Sequence, residues 1–238
     1  MPDYLRHPLD SCFERVWRAD EHLAELQREI AIVFEKQANA AGIEFDPHPP
    51  HRAKVSLPSE TFFGMRIATL TGEIFYNLRT ALDYLVFELA QLDSGIEQSG
   101  TQFPIMDAKQ DFDGRGKAAF LKGVNLGHIA CIERLQPYNG CDWTRRLRDC
   151  SNADKHRHFI ASGGAIRITV HSSLERDDLV RTRGFERKAP HPLTGRGVDV
   201  KVHIAGQIAF PDGAPVRETI EEIKMEVANT LVAFKPDF

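Results

Sequence analysis

The apolar residues Ile67, Leu70, Ile74, Leu78, Ala81, Leu82, Leu85 and Leu89 keep within a narrow arc when wound at about 100° per residue. This stripe predicts a helix that begins near Ser59 to Gly64 and runs to about Leu92. Upstream, from Asp10 until Gly42, Phe13, Val16, Trp17, Leu23, Leu26, Ile30, Val33 and Phe34 recur at three- and four-residue steps with charges between them, a second long amphipathic helix. Residues 43–58 lie between the two and carry four prolines, which cannot continue a helix, so an extended crossing segment is expected. Two long helices joined by about 17 residues imply an antiparallel pair packed along these stripes.

Beyond the pair, residues 93–116 are rich in Gly, Asp, Ser and Gln and read as a long surface connection with one apolar anchor at Phe103 to Ile105. Short helices are expected at about 117–122 and 125–136, the latter stopped by Pro137. Another is expected from an N-cap at Asp142 through Leu147 and Cys150 toward Phe159. The period then changes to two. Ile166, Ile168 and Val170 alternate with polar residues, as do Val198, Val200, Val202 and Ile204, giving two half-buried strands, with Ile208 and Phe210 as a third. The stretch 172–197, with Arg176, Arg181, Arg183, Arg187 and Lys188 among acids, reads as a hairpin arm or a loop. PDGAP (211–215) turns into a last helix striped by Val216, Ile220, Ile223, Val227 and Leu231. The fold class is therefore α+β: mainly a helical bundle of two long antiparallel helices plus shorter ones, with a small antiparallel β-sheet and a C-terminal helix. One domain is expected over 1–238, helical over about 10–160 and β-sheet plus final helix over about 164–234, because neither a linker nor a repeat divides the sequence.

With 42% hydrophobic and 27% charged residues, the 238-residue chain has enough apolar mass for a core, which excludes collagen-like, mucin-like and wholly disordered readings. Its 30 basic and 34 acidic side chains give −4, which excludes bulk electrostatic binding to nucleic acid. The charge is uneven, since residues 1–120 carry 12 basic and 19 acidic groups (−7) and residues 121–238 carry 18 and 15 (+3). An anionic partner is thus expected on the second half. Cys12, Cys131, Cys141 and Cys150 form no CxxC pair and read as buried thiols in a reducing cytoplasm. No stretch approaches about 18 uncharged apolar residues, and the N-terminus lacks the apolar run of a signal peptide. A cytoplasmic chain, intact as written and without membrane contact, is expected.

Polar chemistry concentrates at 145–158. On a continuous helix Arg148, Asn152 and His156 stand at i, i+4 and i+8 and form one stripe, while Asp154 and Arg157 fall on the Trp143, Leu147 and Cys150 side, pointing inward. A buried acid and a buried base on one face need partners, so this helix is either tied to its neighbours by ion pairs or lines a polar site. On the second long helix Glu73, Asn77, Tyr84 and Glu88 run along one flank, and Arg79 and Asp83 pair four apart on the other. Asn77, Arg79, Asp83, Asp154 and Lys155 are therefore candidate binding residues. Asp83 or Asn77 is expected within hydrogen-bonding reach of 154–157, making 151–157 a polar structural bracket. Asp83→Ala should then be costly and Asp93→Ala, in the following loop, silent. Asp154, His156 and His158 make a poor metal set, since the two histidines point about 200° apart on a helix, and no metal site is assigned. The sequence has no GxGxxG before a helix, no GxxxxGK(S/T), no GxSxG and no HExxH, so no cofactor is assigned.

NLRTALDYLV (77–86), TQFPI (101–105), LQPY (135–138) and SNADKHR (151–157) occur in that order in a group of uncharacterised bacterial proteins, which this chain resembles over most of its length. The long helix pair followed by a helix carrying Asn, Lys and His is also similar to the HEPN superfamily of helical-bundle proteins. That superfamily includes metal-independent RNases of toxin and phage-defence systems and members without nuclease activity. For a catalytic member the resemblance implies His156 as general acid/base, Arg148 and Arg157 stabilising the charged phosphorane, and Asn152 orienting the scissile phosphate. The family's catalytic signature sets its Arg closer to its His than the seven residues between Arg148 and His156 allow.

Two classes of function follow. The first, favoured by that spacing, is a non-catalytic interaction, ligand-binding or nucleic-acid-binding module. The second is a HEPN-like metal-independent ribonuclease using His156. RNA or another anionic ligand is the expected partner of either. A homodimer is expected through Trp17 and Phe34 of the first helix.

Overall fold

The two stripes become helices α1 (Asp10–Ala40) and α2 (Met65–Ser94) in the computed structural model, which describes residues 7–45, 53–56, 64–156, 162–172, 185–190 and 197–238, with side chains over 7–42, 56, 64–152 and 208–238. The described residues are mainly helical. Every member of the α2 stripe, from Ile67 to Leu89, is buried. Each Leu or Ile so enclosed contributes roughly 1.5–3 kcal/mol over its exposed state, an upper figure because unfolded chains already hide some surface. α1 runs antiparallel to α2. Arg15 donates to Asn77 (3.2 Å) and Tyr84 (2.9 Å), and His22 stands 3.7 Å from Glu73, so positions fall along α2 as they rise along α1. The flank holding Glu73, Asn77 and Tyr84 thus serves α1. Trp17 is 61% exposed, whereas Phe34, expected to join it at a partner surface, is buried in its own chain.

The chain divides into two compact units, one of Met1–Leu26, Ala68–Phe159 and Arg217–Phe238, the other of Gln27–Ile67 and Ile160–Val216. In the second unit β1 (Gly42–Phe45) pairs antiparallel with β2 (Ala53–Ser56), Ile43 opposite Val55. The segment expected to cross is extended but folds back on itself. Its prolines Pro47, Pro49, Pro50 and Pro58 all fall outside the paired residues, so none takes a ladder position.

Also in the second unit, β3 (Ser162–Ser172), β4 (Phe185–Pro190) and β5 (Gly197–Ala209) pair antiparallel in the order β3-β5-β4, with Ile168 opposite Ile204 and Val202 opposite both Val170 and Phe185. The third strand is not the one expected. Ile208 belongs to the end of β5 and Phe210 lies beyond it, while β4 comes from the stretch read as an arm or loop. Its sequence FERKAP carries three consecutive charges and ends in proline, the composition of an edge strand rather than a half-buried one, so apolar alternation could not reveal it. The PDGAP turn closes with Phe210 donating to the Ala214 carbonyl (2.8 Å) and Gly213 to the Phe210 carbonyl (2.8 Å). Gly213 sits at φ 86°, which a residue without Cβ adopts freely. Helix α6 (Val216–Phe234) follows, its expected stripe buried throughout.

In the first unit α2 continues to Ser94, past its expected end, and the connection after it is shorter than predicted. A short α3 (Lys109–Asp111) passes directly into a nine-residue π-helix, Phe112–Phe120, where a helix was expected only from about 117. Helix α4 (Leu126–Arg134) is capped by Asn125, whose side chain accepts from the His128 N–H (2.9 Å). A 3-10 turn at Pro137–Asn139 then leads to α5 (Asp142–His156). The inward face of α5 is Thr144, Leu147 and Ser151, with Trp143 and Cys150 only half-buried, so the helix is rotated from the expected face. Of the four cysteines, expected to be buried, Cys12 alone is, and the other three are half-buried. Among the described residues no helix is long and apolar enough to cross a membrane.

Candidate functional site

Residues 102–106 form no helix or strand, and Phe103, Pro104 and Ile105 are buried in the first unit; the Gln102 N–H donates to the Phe120 carbonyl (3.2 Å), and side chains meet the backbone groups that follow. α2 meets the first of them. The Phe103 N–H donates to Asp83 Oδ1 (2.9 Å), and Arg79, one turn earlier, donates to the Phe103 carbonyl. Arg79 and Asp83 also pair with each other at 3.4 Å. Gln136, fully buried after α4, holds the next residues: its Nε2 donates to the carbonyls of Pro104 (2.9 Å) and Ile132 (3.1 Å), and its Oε1 accepts from the Met106 N–H (3.0 Å). The NLRTALD, TQFPI and LQPY segments thus converge on one structural task.

Above this segment lies an open cavity of about 300 Å³. Its floor is residues 102–106, α2 supplies Arg79, the π-helix supplies Arg115 and Phe120, and α5 supplies Arg148, Ser151 and Asn152. Arg148 is fixed by two carboxylates, Asp107 (2.8 Å) and Asp149 (2.9 Å), and Arg145 also reaches Asp107 (3.4 Å). Arg115 lies over the Phe120 ring at 5.5 Å and makes no hydrogen bond or ion pair among the described residues. The side chains of Ser151 and Asn152 likewise make no hydrogen bond among them.

The electrostatics follow from this crowding. Burial pulls the Arg79 guanidinium below its ordinary range, Asp83 opposes that pull, and the like charge of Arg148 adds to it. Burial acts on Arg148 too, but Asp107 and Asp149 outweigh it and hold that guanidinium above its usual range. The hydrogen bond from Arg148 keeps the Asp107 carboxyl below the ordinary carboxylate range.

The π-helix explains why Arg115 and Phe120 were not read as site residues. In a helix of 3.6-residue period, positions five apart point about 140° away from each other. Where hydrogen bonds run i→i+5, positions five apart stack. Arg115 over Phe120 is such a pair, and so is Lys117 over Phe112 at 5.4 Å. Ser151 and Gln136 lay within recognised segments, and only the path of 102–106 gives them a role.

The structure brings Arg79, Arg148 and Asn152 together at the cavity, with Asp83 behind Arg79. Asn77 is elsewhere: its Oδ1 accepts from Arg15 and its Nδ2 donates to the Glu73 carbonyl (2.8 Å), so it ties α1 to α2. His156 closes α5 one turn beyond Asn152 on the same backbone stripe. Arg157 and the side chains of Asp154, Lys155 and His156 lie outside the described residues, and the expected bracket with them. Asp93 is no loop residue. It belongs to α2, its side chain is 6% exposed, and it accepts from the Asn125 backbone (2.8 Å) and side chain (2.7 Å) while contacting His128 Nδ1 (2.8 Å). Among the described residues no group of three His, Cys, Asp or Glu side chains is arranged to hold a metal ion. Compared with known protein families, curated proteins and solved structures, the chain matches none.

Proposed function

We propose that the chain is a non-catalytic anion-binding module whose ligand occupies the cavity between α5, the π-helix and residues 102–106. The observation that supports this reading is Arg115, a guanidinium on the cavity wall without an ion pair among the described residues, beside two further guanidiniums and the unbonded Asn152 amide. Arg115 and Asn152 are exposed residues of the cavity lining, whereas Arg79 and Arg148 are partly buried, and like charges lining one cleft add their fields on an anion that enters it. Arg79 and Arg148 are anchored by Asp83, Asp107 and Asp149, so little side-chain entropy is left to lose on binding. Inorganic phosphate added at constant ionic strength is expected to raise the melting temperature of the wild type but not of Arg115→Met, which keeps its stem over Phe120. At 100 times the Kd the gain is about 2.7 kcal/mol. No shift, or equal shifts in the two proteins, overturns the reading.

A second reading is a HEPN-like metal-independent ribonuclease, favoured by Arg148 and Asn152 both lining the cavity and by His156 following Asn152 by four residues in α5. His156 would act as general acid/base, Arg148 and Arg157 would stabilise the phosphorane, and Asn152 would orient the phosphate. Incubation with total RNA in EDTA tests it. Cleavage lost in His156→Ala supports the enzyme, and absent or unaltered cleavage ends it.

The same proposal takes the whole chain as α+β, on the strength of the β3-β5-β4 ladder, as cytoplasmic, and as a homodimer through the exposed Trp17 of α1.

A further inference from the structure

The polar groups turned to the cavity are more than a carboxylate needs. The Arg115 fork, the Asn152 amide and the Ser151 hydroxyl come from two elements and make no hydrogen bond among the described residues, and a terminal phosphate offers three oxygens and up to two charges to meet them. Phe120 on the wall and Pro104 and Met106 on the floor give the same cavity an apolar side, which favours an apolar body beside the charged head. Its volume of about 300 Å³ lies at the lower end for small-molecule sites.

The surroundings argue against a longer polyanion. Asp107, next in sequence to Met106 of the floor, and Asp149, next to Arg148, are 57% and 58% exposed, and both are already spent on Arg148. With Arg79 paired to Asp83 and Arg148 to Asp107 and Asp149, Arg115 is the guanidinium of the cavity lining that has no carboxylate partner among the described residues, which is cation for one phosphate and not for a run of them.

Resting on the anion-site reading above, we infer that the occupant is a small phosphomonoester, one terminal phosphate on a compact body with an apolar face, and not a polynucleotide. Isothermal titration calorimetry of the full chain with phenyl phosphate, inorganic phosphate and a short single-stranded RNA lacking terminal phosphates tests this. Phenyl phosphate is expected to bind about tenfold tighter than either of the others, to lose about tenfold in Arg115→Met, and to shift the NMR signals of the Asn152 side-chain amide. Equal affinity for phenyl phosphate and inorganic phosphate overturns the ester body. RNA that binds more tightly than phenyl phosphate and is weakened by Arg115→Met overturns the small-ligand class and leaves the anion site standing. If none of the three probes binds, or if Arg115→Met changes nothing, the anion site itself is overturned, and the inference with it.

Discussion

Gln136, fully buried beneath the site, uses both amide N–H groups and its oxygen. Gln136→Leu keeps most of the volume but leaves the Met106 N–H and the Pro104 carbonyl without partners, at about 1–3 kcal/mol for each orphaned group. Urea denaturation is expected to show that loss as a lower midpoint with an unchanged slope. A midpoint equal to wild type would mean that water replaces the amide. Asp83 poses a sharper case, because its removal orphans the Phe103 N–H and strips the nearest carboxylate from the half-buried Arg79. Asp83→Ala is expected to cost about 1–3 kcal/mol for the orphaned N–H and more for the half-buried guanidinium left behind. Asp93→Ala is no neutral control, since three groups of α4 and its cap bond to that carboxylate, and it too should lower the melting temperature. Glu97→Ala, at an exposed residue with no interaction among the described ones, should stay within about 0.5 kcal/mol. If Asp83→Ala is as silent as Glu97→Ala, α2 does not hold the 102–106 segment.

The π-helix is tied to its neighbours by charge as well as by its stacked pairs. Lys109 of α3 bonds Glu133 of α4 at 2.5 Å and Asp113 at 3.2 Å, and Lys117 bonds Asp113 at 2.5 Å. Hydrogen bonds from Lys117 and Lys109 hold the Asp113 carboxyl below the ordinary range, Lys109 does the same for Glu133, and Arg148 does so for Asp107. A carboxyl whose folded pKa is depressed contributes stability above its unfolded value, about 4, and loses that contribution as the pH falls through the folded value. The urea midpoint is therefore expected to hold between pH 7 and 5 and to drop toward pH 3, with a smaller drop in Asp113→Asn. These pairs face solvent, so added salt should shrink the effect. An Asp113→Asn profile that parallels wild type would show that the network contributes nothing to the fold.

At the scale of the molecule, Trp17 and Phe34 were expected on one partner surface, and only Trp17 is available to it. Size-exclusion chromatography with light scattering is expected to give twice the 26.8 kDa chain mass, falling toward one chain in Trp17→Glu. A single-chain mass for the wild type removes the dimer. Several features were legible in the sequence by itself: the α2 stripe from Ile67 to Leu89, the α6 stripe, the antiparallel helix pair and the buried anchor at Phe103 to Ile105. They were legible because burial repeats with the local helical period, so a residue's environment is written in its near neighbours. Tertiary structure alone decided that Asn77 serves α1, that Arg79 and Asp83 grip a peptide rather than only each other, that Gln136 floors the site, and that β4 pairs with β5. Each of these is a choice of partner between segments far apart in the chain, which no local period records. Arg115 and Phe120 were hidden for a further reason: a π-helix replaces the 3.6-residue period, and the pairing it creates at five residues is invisible until the winding is known.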